Sequence, residues 1–320
     1  MPTDRLNPRF PPWLKQRIPA GPAAARVREI LKDLRLNTVC GSALCPNTAE
    51  CFHSGTATFL IMGPRCTRGC SFCAVGRGAP APLDADEPAR VAEAARLLRL
   101  KYVVITSVTR DDLADGGASH FAATIHAVKS ASPHASVEVL VPDFAGRPES
   151  VAAVVAAGPS VFNHNVETVP RLYPLVRPQA DYRRSLEVLR LAREFASGEV
   201  GSGEVGPGLI TKSGLMVGLG ETLAAKSLAA KSLAAKSLPE VEGVFSDLRA
   251  AGVSIVTVGQ YLRPSKDHLP VDRFVTPEEF EGLTRAALSM GFSAAFCAPL
   301  VRSSYHAGEV FAGCRAARNE

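Results

Sequence analysis

Six of the eight cysteines lie between Cys40 and Cys73, and they fall into two triplets. Cys66, Cys70 and Cys73 are spaced C-x3-C-x2-C, whereas Cys40, Cys45 and Cys51 are spaced C-x4-C-x5-C. Three thiolates on one short loop suit three irons of a cubic iron–sulfur cluster, which normally takes four cysteines. Each triplet is one ligand short, so each expected 4Fe-4S site has an iron whose last ligand comes from elsewhere. Other chemistries fit less well. Disulfides suit small secreted proteins, but this chain has 320 residues, and residues 1–21 are rich in Pro and charge without an apolar signal segment. Structural zinc favours paired C-x2-C knuckles, and only Cys70 and Cys73 have that spacing, even with His53 as a stray partner. Inert buried thiols rarely crowd a segment this short.

The elements that must position these thiols follow from residue 56 onward. Continuous β-branched runs mark strands buried on both faces at Ala57–Met62, Tyr102–Val108, Ser136–Val141, Ser160–Val166, Leu209–Gly218 and Ser254–Gly259. Between the first two, Asp86 offers an N-cap, Glu87 and Pro88 a first turn, and Val91, Ala95 and Leu98 a helical stripe. Six strand–helix repeats predict an α/β fold with a parallel sheet and right-handed crossovers, curled or closed into a barrel. Chemistry in such a fold sits on the loops after the strands' carboxyl ends, and the C-x3-C-x2-C loop directly follows the first strand. The reading divides the chain into an extension over residues 1–55, a barrel over 56–292 and a tail over 293–320. Two segments break the pattern. Ser197–Gly208 repeats Ser-Gly-Glu-Val-Gly and reads as a surface linker. Leu223–Leu238 repeats Ala-Ala-Lys-Ser-Leu, whose period of five does not stack Leu on one helix face.

Composition narrows the class. The hydrophobic fraction of 46% is ordinary for a globular protein, and no apolar run approaches the ~20 residues of a membrane span. Net charge is +5, with no basic run interleaved with aromatics, so an acidic protein partner is compatible but nucleic acid is not indicated. Reduced cysteines point to a cytoplasmic setting.

The loop Cys66-Thr-Arg-Gly-Cys70-Ser-Phe72-Cys73 resembles that of the radical S-adenosylmethionine superfamily. The resemblance implies a partial (β/α)6 TIM-like barrel whose extensions close over its mouth. It also implies that S-adenosylmethionine chelates the open iron and is cleaved to a 5′-deoxyadenosyl radical, with Phe72 near the adenine. Cys40-x4-Cys45-x5-Cys51 resembles the auxiliary-cluster motif of the lipoyl synthase family. That likeness continues through Arg110–His120, Asn163–Thr168, Lys212–Thr222, Gly259–Pro264 and the closing Arg302-Ser-Ser-Tyr305.

The family resemblance implies a sulfurtransferase that inserts sulfur at carbons 6 and 8 of an octanoyl group on a carrier lysine, consuming its auxiliary cluster. Unactivated carbons have no acidic hydrogen, so acid–base catalysis has nothing to act on. By the same resemblance Ser304 is the auxiliary cluster's fourth ligand. A serine alkoxide is a harder ligand than thiolate and leaves iron more readily, although a lone serine is by default a cap or loop hydroxyl. Ser107, Gly218 and Gly220 resemble backbone-approach positions around the bound methionine and adenosine. Asn163, Asn165 and Glu167 end the fourth strand and should face the pocket, with fold-stabilising hydrogen bonds as the alternative role. The seven histidines are scattered, and Cys297 and Cys314 match neither triplet. Implied partners are octanoylated carrier domains (2-oxoacid dehydrogenase acyltransferase subunits and the glycine cleavage H protein), a low-potential electron donor and an iron–sulfur cluster carrier. Biotin synthase, another sulfur-inserting family, spreads its auxiliary ligands through the barrel, unlike the tight triplet here. A non-catalytic iron–sulfur carrier would not need an open-iron loop in a full barrel.

Overall fold

The computed structural model describes residues 10–15, 22–54, 56–198, 208–223 and 240–319. Most of the Ser-Gly-Glu-Val-Gly duplication and all but the first residue of the Ala-Ala-Lys-Ser-Leu tract lie outside them. Strands in chain order are β1 (Asn37–Thr38), β2 (Thr58–Ile61), β3 (Arg65–Cys66), β4 (Gly76–Arg77), β5 (Tyr102–Ser107), β6 (Ser136–Leu140), β7 (Val161–Asn163), β8 (Ile210–Val217), β9 (Ile255–Gln260) and β10 (Ala294–Ala298). Eight form one sheet in the order β1-β2-β5-β6-β7-β8-β9-β10, while β3 and β4 pair by themselves. Every pair in the large sheet is parallel except β1 with β2, where Thr38 faces Phe59.

All six anticipated strands form, and their apolar runs are buried because helices cover the outer face while the inner face closes on itself. The helices Glu87–Leu97, Ala118–Ala131, Pro148–Ala156 and Tyr182–Ser197 pack in succession along that outer face. A seventh parallel strand, β10, opens the segment read from sequence as tail. Its run Ala-Ala-Phe-Cys-Ala has no β-branched residue, so pairing with β9 rather than intrinsic preference makes it a strand.

Two details of the first crossover aim the cysteine loop. Asp86 stands at the N-cap but makes no side-chain capping bond, and Asp84 instead accepts from the Asp86 N–H at 3.0 Å. Glu87 turns inward, accepting from the Met62 N–H at 2.7 Å and meeting His120 Nε2 at 2.8 Å. The helix start therefore fixes the backbone at the end of β2, four residues before Cys66. At the amino-terminal end of the barrel, Val310 and Cys314 of the last helix pack with Val161, Ile210 and Ile255. Among the described residues no helix is long and apolar enough to cross a membrane.

Candidate active site

A cavity of about 500 Å³ opens among the carboxyl ends of the parallel strands, lined by all six clustered cysteines. The C-x3-C-x2-C loop reaches it as a closed excursion from the barrel. The ladder between β3 and β4 seals its base, with Cys66 opposite Arg77. Inside it the Cys73 N–H donates to the Cys70 carbonyl at 3.1 Å. Two backbone N–H groups point at the Cys66 sulfur, from Arg68 at 3.4 Å and Thr109 at 3.3 Å. Arg68 anchors the loop from beneath, pairing with Asp111 at 2.7 Å and with the buried Asp143 at 2.8 Å. His268, one of the scattered histidines, meets the Cys73 carbonyl at 3.0 Å and so serves the loop's shape.

The second triplet approaches from the opposite side of the same cavity wall formed by β1 and β2. Cys40 sits in a one-turn helix, Val39–Ser42, whose Thr38 cap accepts from the Gly41 N–H at 3.2 Å. Thr48 Oγ1 donates to the carbonyls of Cys40 and Cys45, at 2.9 and 2.8 Å, and Cys51 follows on the helix Thr48–His53. Burial pushes the thiols of Cys40 and Cys70 up, and it takes Cys51 to about 12 and Cys73 to about 11. Mutual repulsion adds to this, Cys51 feeling Cys40 and Cys45, and Cys73 feeling Cys70 and Cys66. Crowded, desolvated thiols of this kind are stable as thiolates only when cations sit among them. The donor sets therefore fit iron–sulfur clusters.

The closing loop completes the lining with Val301, Arg302, Ser303, Ser304 and Tyr305. It is tied to the Cys40–Cys51 segment through Asn47, whose Nδ2 donates to the Leu300 carbonyl at 2.8 Å, and through Glu50, whose Oε1 accepts from Tyr305 OH at 2.7 Å. Gly259 and Gly214 make room for it, since a Cβ on Gly259 would lie 2.0 Å from the Val301 carbonyl oxygen and one on Gly214 2.8 Å from Ser303 Oγ.

Phe72, Ser107, Asn165, Glu167 and Ser304 all line the cavity; Asn163, Gly218 and Gly220 do not. The Asn163 amide donates to Glu138 at 3.1 Å instead of lining the pocket, because that buried carboxylate on neighbouring β6 needs donors. Gly218 packs against Gln260 and the Arg273 carbonyl, and its N–H donates to the Glu221 carboxylate at 2.6 Å. Cys297 is half-buried in β10, where burial pushes its thiol up to about 12, and Cys314 is buried under the barrel rather than in a loose tail.

The sequence reading misses the buried Arg177 and takes the half-buried Arg302 only as the start of the closing motif. Arg177 and Arg302 flank Glu167 within the cavity lining. Burial raises the Glu167 carboxyl while Arg177 and Arg302 pull it down. Burial, then Arg177, holds His164 down at about 4, so its imidazole is neutral near pH 7. Ser107 Oγ, His164 Nε2 and Arg177 Nε are buried along the cavity without a hydrogen-bond partner among the described residues. Native interiors rarely strand such atoms, so this wall is made for a polar ligand. The signal available in sequence for Arg177 was only a charge standing among Leu175, Val176 and Pro178.

Comparison with known proteins agrees with this geometry. The family model of the radical SAM superfamily matches residues 60–229, and that of the N-terminal domain of lipoyl synthase matches residues 3–45. A lipoyl synthase of Nitratidesulfovibrio vulgaris is 52% identical over 303 residues, covering 95% of this chain and 93% of that protein. One of Rubrobacter xylanophilus is 51% identical, covering 93% of this chain and 85% of that protein. The solved structure of HydG, a maturase of the FeFe-hydrogenase, shares the fold with a TM-score of 0.54 at 14% identity, covering 91% of this chain and 67% of that one. The chain belongs to the lipoyl synthase family of the radical SAM superfamily.

Proposed function

We infer that this chain is a lipoyl synthase, inserting two sulfur atoms at carbons 6 and 8 of an octanoyl group bound to a carrier-protein lysine. The observation that carries the reading is the convergence of both cysteine triplets and the Arg302–Tyr305 loop on one cavity. Cys66, Cys70 and Cys73 would hold the 4Fe-4S cluster that binds S-adenosylmethionine, and Cys40, Cys45, Cys51 and Ser304 a second, auxiliary one. Bound there, these groups supply a hydrogen-atom abstractor and the sulfide that is transferred. Around them the protein binds and orients. Glu167 and Arg177 suit the amino and carboxylate groups of S-adenosylmethionine, and Ser107 and His164 offer the unused polar atoms described above. Leu60, Val108, Leu140 and Leu215 give the cavity an apolar wall for an octanoyl chain and exclude water from it. Phe72 at the rim of the cysteine loop suits a stacked adenine.

The partners that this reading calls for are octanoylated carrier domains, a low-potential electron donor and a cluster carrier, in a cytoplasmic setting. Mass analysis of an octanoylated carrier peptide tests it, after incubation with reconstituted enzyme, S-adenosylmethionine and a reductant. The expected product carries two sulfurs in place of two hydrogens. Consumption of S-adenosylmethionine with the peptide mass unchanged would overturn the assignment.

A further inference from the structure

Two charged side chains lie inside the barrel where the parallel strands are otherwise uncharged. Glu138 on β6 and Lys212 on β8 are each 1% exposed, and they pair at 2.9 Å. Glu138 is fully engaged, accepting also from Tyr102 OH at 2.6 Å and Asn163 Nδ2 at 3.1 Å. An ammonium has three protons to place. Lys212 gives them to the two Glu138 oxygens, at 2.9 and 3.1 Å, and to the Ser303 carbonyl at 2.6 Å. The third acceptor belongs to no strand. It is the backbone of the closing loop, dipping into the barrel between the sheet and the cavity.

The two serines of that loop are treated differently. Ser303 is held twice, by its carbonyl on Lys212 and by its hydroxyl, which donates to Asn165 Oδ1 at 2.8 Å. Gly214 leaves the space that the Ser303 side chain fills. Ser304, the next residue, faces the cavity, and among the described residues its hydroxyl makes no hydrogen bond. Lifting the loop would leave a buried ammonium proton without an acceptor, which is costlier than losing a neutral hydrogen bond.

We propose that Lys212 is a positioning residue for sulfur insertion: by gripping the Ser303 carbonyl inside the barrel, it keeps Ser304 presented to the Cys40–Cys45–Cys51 triplet, so that the Ser304 hydroxyl can let go of its iron without the loop leaving. This rests on reading Ser304 as the auxiliary ligand. The Glu138–Lys212 pair is thus the fixed end of a device whose labile end is one residue away. The barrel interior and the auxiliary segment hold opposite sides of the same loop, through Lys212 on one side and Asn47 and Glu50 on the other.

Lys212→Met alone would strand the buried Glu138 carboxylate and endanger folding for that reason alone, so the informative variant is Glu138→Gln/Lys212→Met. It removes both charges together, and the new amide has an acceptor in Asn163 Oδ1, which has no partner among the described residues. Amide hydrogen exchange followed by mass spectrometry on the reconstituted protein reads the loop directly. Exchange over residues 299–306 should rise about tenfold or more, the scale of a lost charged hydrogen bond, with β6 and β8 keeping their protection. Mössbauer spectra should show the oxygen-ligated iron of the auxiliary cluster altered while the cluster on Cys66, Cys70 and Cys73 is unchanged. Unchanged exchange over 299–306 would overturn the proposal, and so would protection lost equally from loop and strands. A wild-type protein that takes up only one cluster would instead overturn the ligand reading beneath it.

Discussion

Replacing Gly259 by Ala tests whether the closing loop must be seated for sulfur chemistry. The methyl carbon would lie 2.0 Å from the Val301 carbonyl oxygen and 3.1 Å from Arg302 Nη1. Carbon and oxygen approach to roughly 3.3 Å even in favourable C–H contacts, so more than an ångström of movement is needed. No rotamer change supplies it, since the closest obstacle is backbone. β9 is held in register by β8 on one side and β10 on the other, so the loop is the part that gives way. Its anchors are the hydrogen bonds of Lys212 to Ser303, Ser303 to Asn165, Asn47 to Leu300 and Tyr305 to Glu50. At roughly 2 kcal/mol for the ammonium bond and about 1 for each of the other three, release costs about 5 kcal/mol. That figure caps the destabilisation, because strain beyond it is relieved by letting the loop go. Overpacking of this severity typically costs about 3 kcal/mol, so the variant should fold but populate loop-displaced states. Cleavage of S-adenosylmethionine should persist, whereas lipoyl formation should fall at least about tenfold, the equivalent of 1.4 kcal/mol in seating Ser304. Thermal melting and limited proteolysis between residues 299 and 306 would follow the loop. A Gly259→Ala enzyme with wild-type melting and wild-type lipoyl formation would refute the reasoning.

Three further outcomes are expected. Replacing Cys66, Cys70 and Cys73 by Ala should abolish S-adenosylmethionine cleavage, while replacing Cys40, Cys45 and Cys51 should leave cleavage measurable and stop lipoyl formation; loss of both activities in a folded second variant would contradict the division of labour. Asp143 is buried, yet the Arg68 guanidinium overcomes that burial and holds its carboxyl at about 2, below the ~3.9 of an unfolded chain. Its contribution is therefore complete above about pH 4 and is lost as pH falls towards 2, and Asp143→Asn, which leaves Arg68 with Asp111 alone, should lower stability by about 2–3 kcal/mol at neutral pH and flatten the acid limb of a pH-dependent denaturant titration. Gly243→Ala and Gly282→Ala, in helices Glu240–Ala250 and Pro277–Ser289 with nothing within 4 Å of the added carbon, should each raise stability by about 0.5–1 kcal/mol; a loss in both would show that these helix faces are not open.

Cysteine spacing was legible in the chain because a short loop sets the reach of its own ligands. Thus Cys66, Cys70 and Cys73 could be read as one site, and Cys40, Cys45 and Cys51 as another, before any fold was known. The six apolar runs were equally legible, since a strand covered on both faces has to be apolar along its length. What escaped was local in a different sense. β10 carries alanines where its neighbours carry valine and isoleucine, so only the exposed edge of β9 makes it a strand. Glu138 and Lys212 did carry a signal, as charges within apolar runs that must find partners, but nothing in sequence says that 74 residues apart they find each other.

Sequence by itself determined the ligand types, the order of strands and helices, and through its dense family likeness the chemistry. Tertiary structure decided which of those residues share a space. It brought two triplets and a loop some 250 residues downstream of Asn47 to one cavity, placed Asn165 and Glu167 in its wall, and turned Asn163 away to Glu138. The physical reason is that ligand reach within a loop is set by chain length. Convergence between loops is set instead by sheet register and by buried groups such as Lys212, whose last proton has to be satisfied by a distant carbonyl.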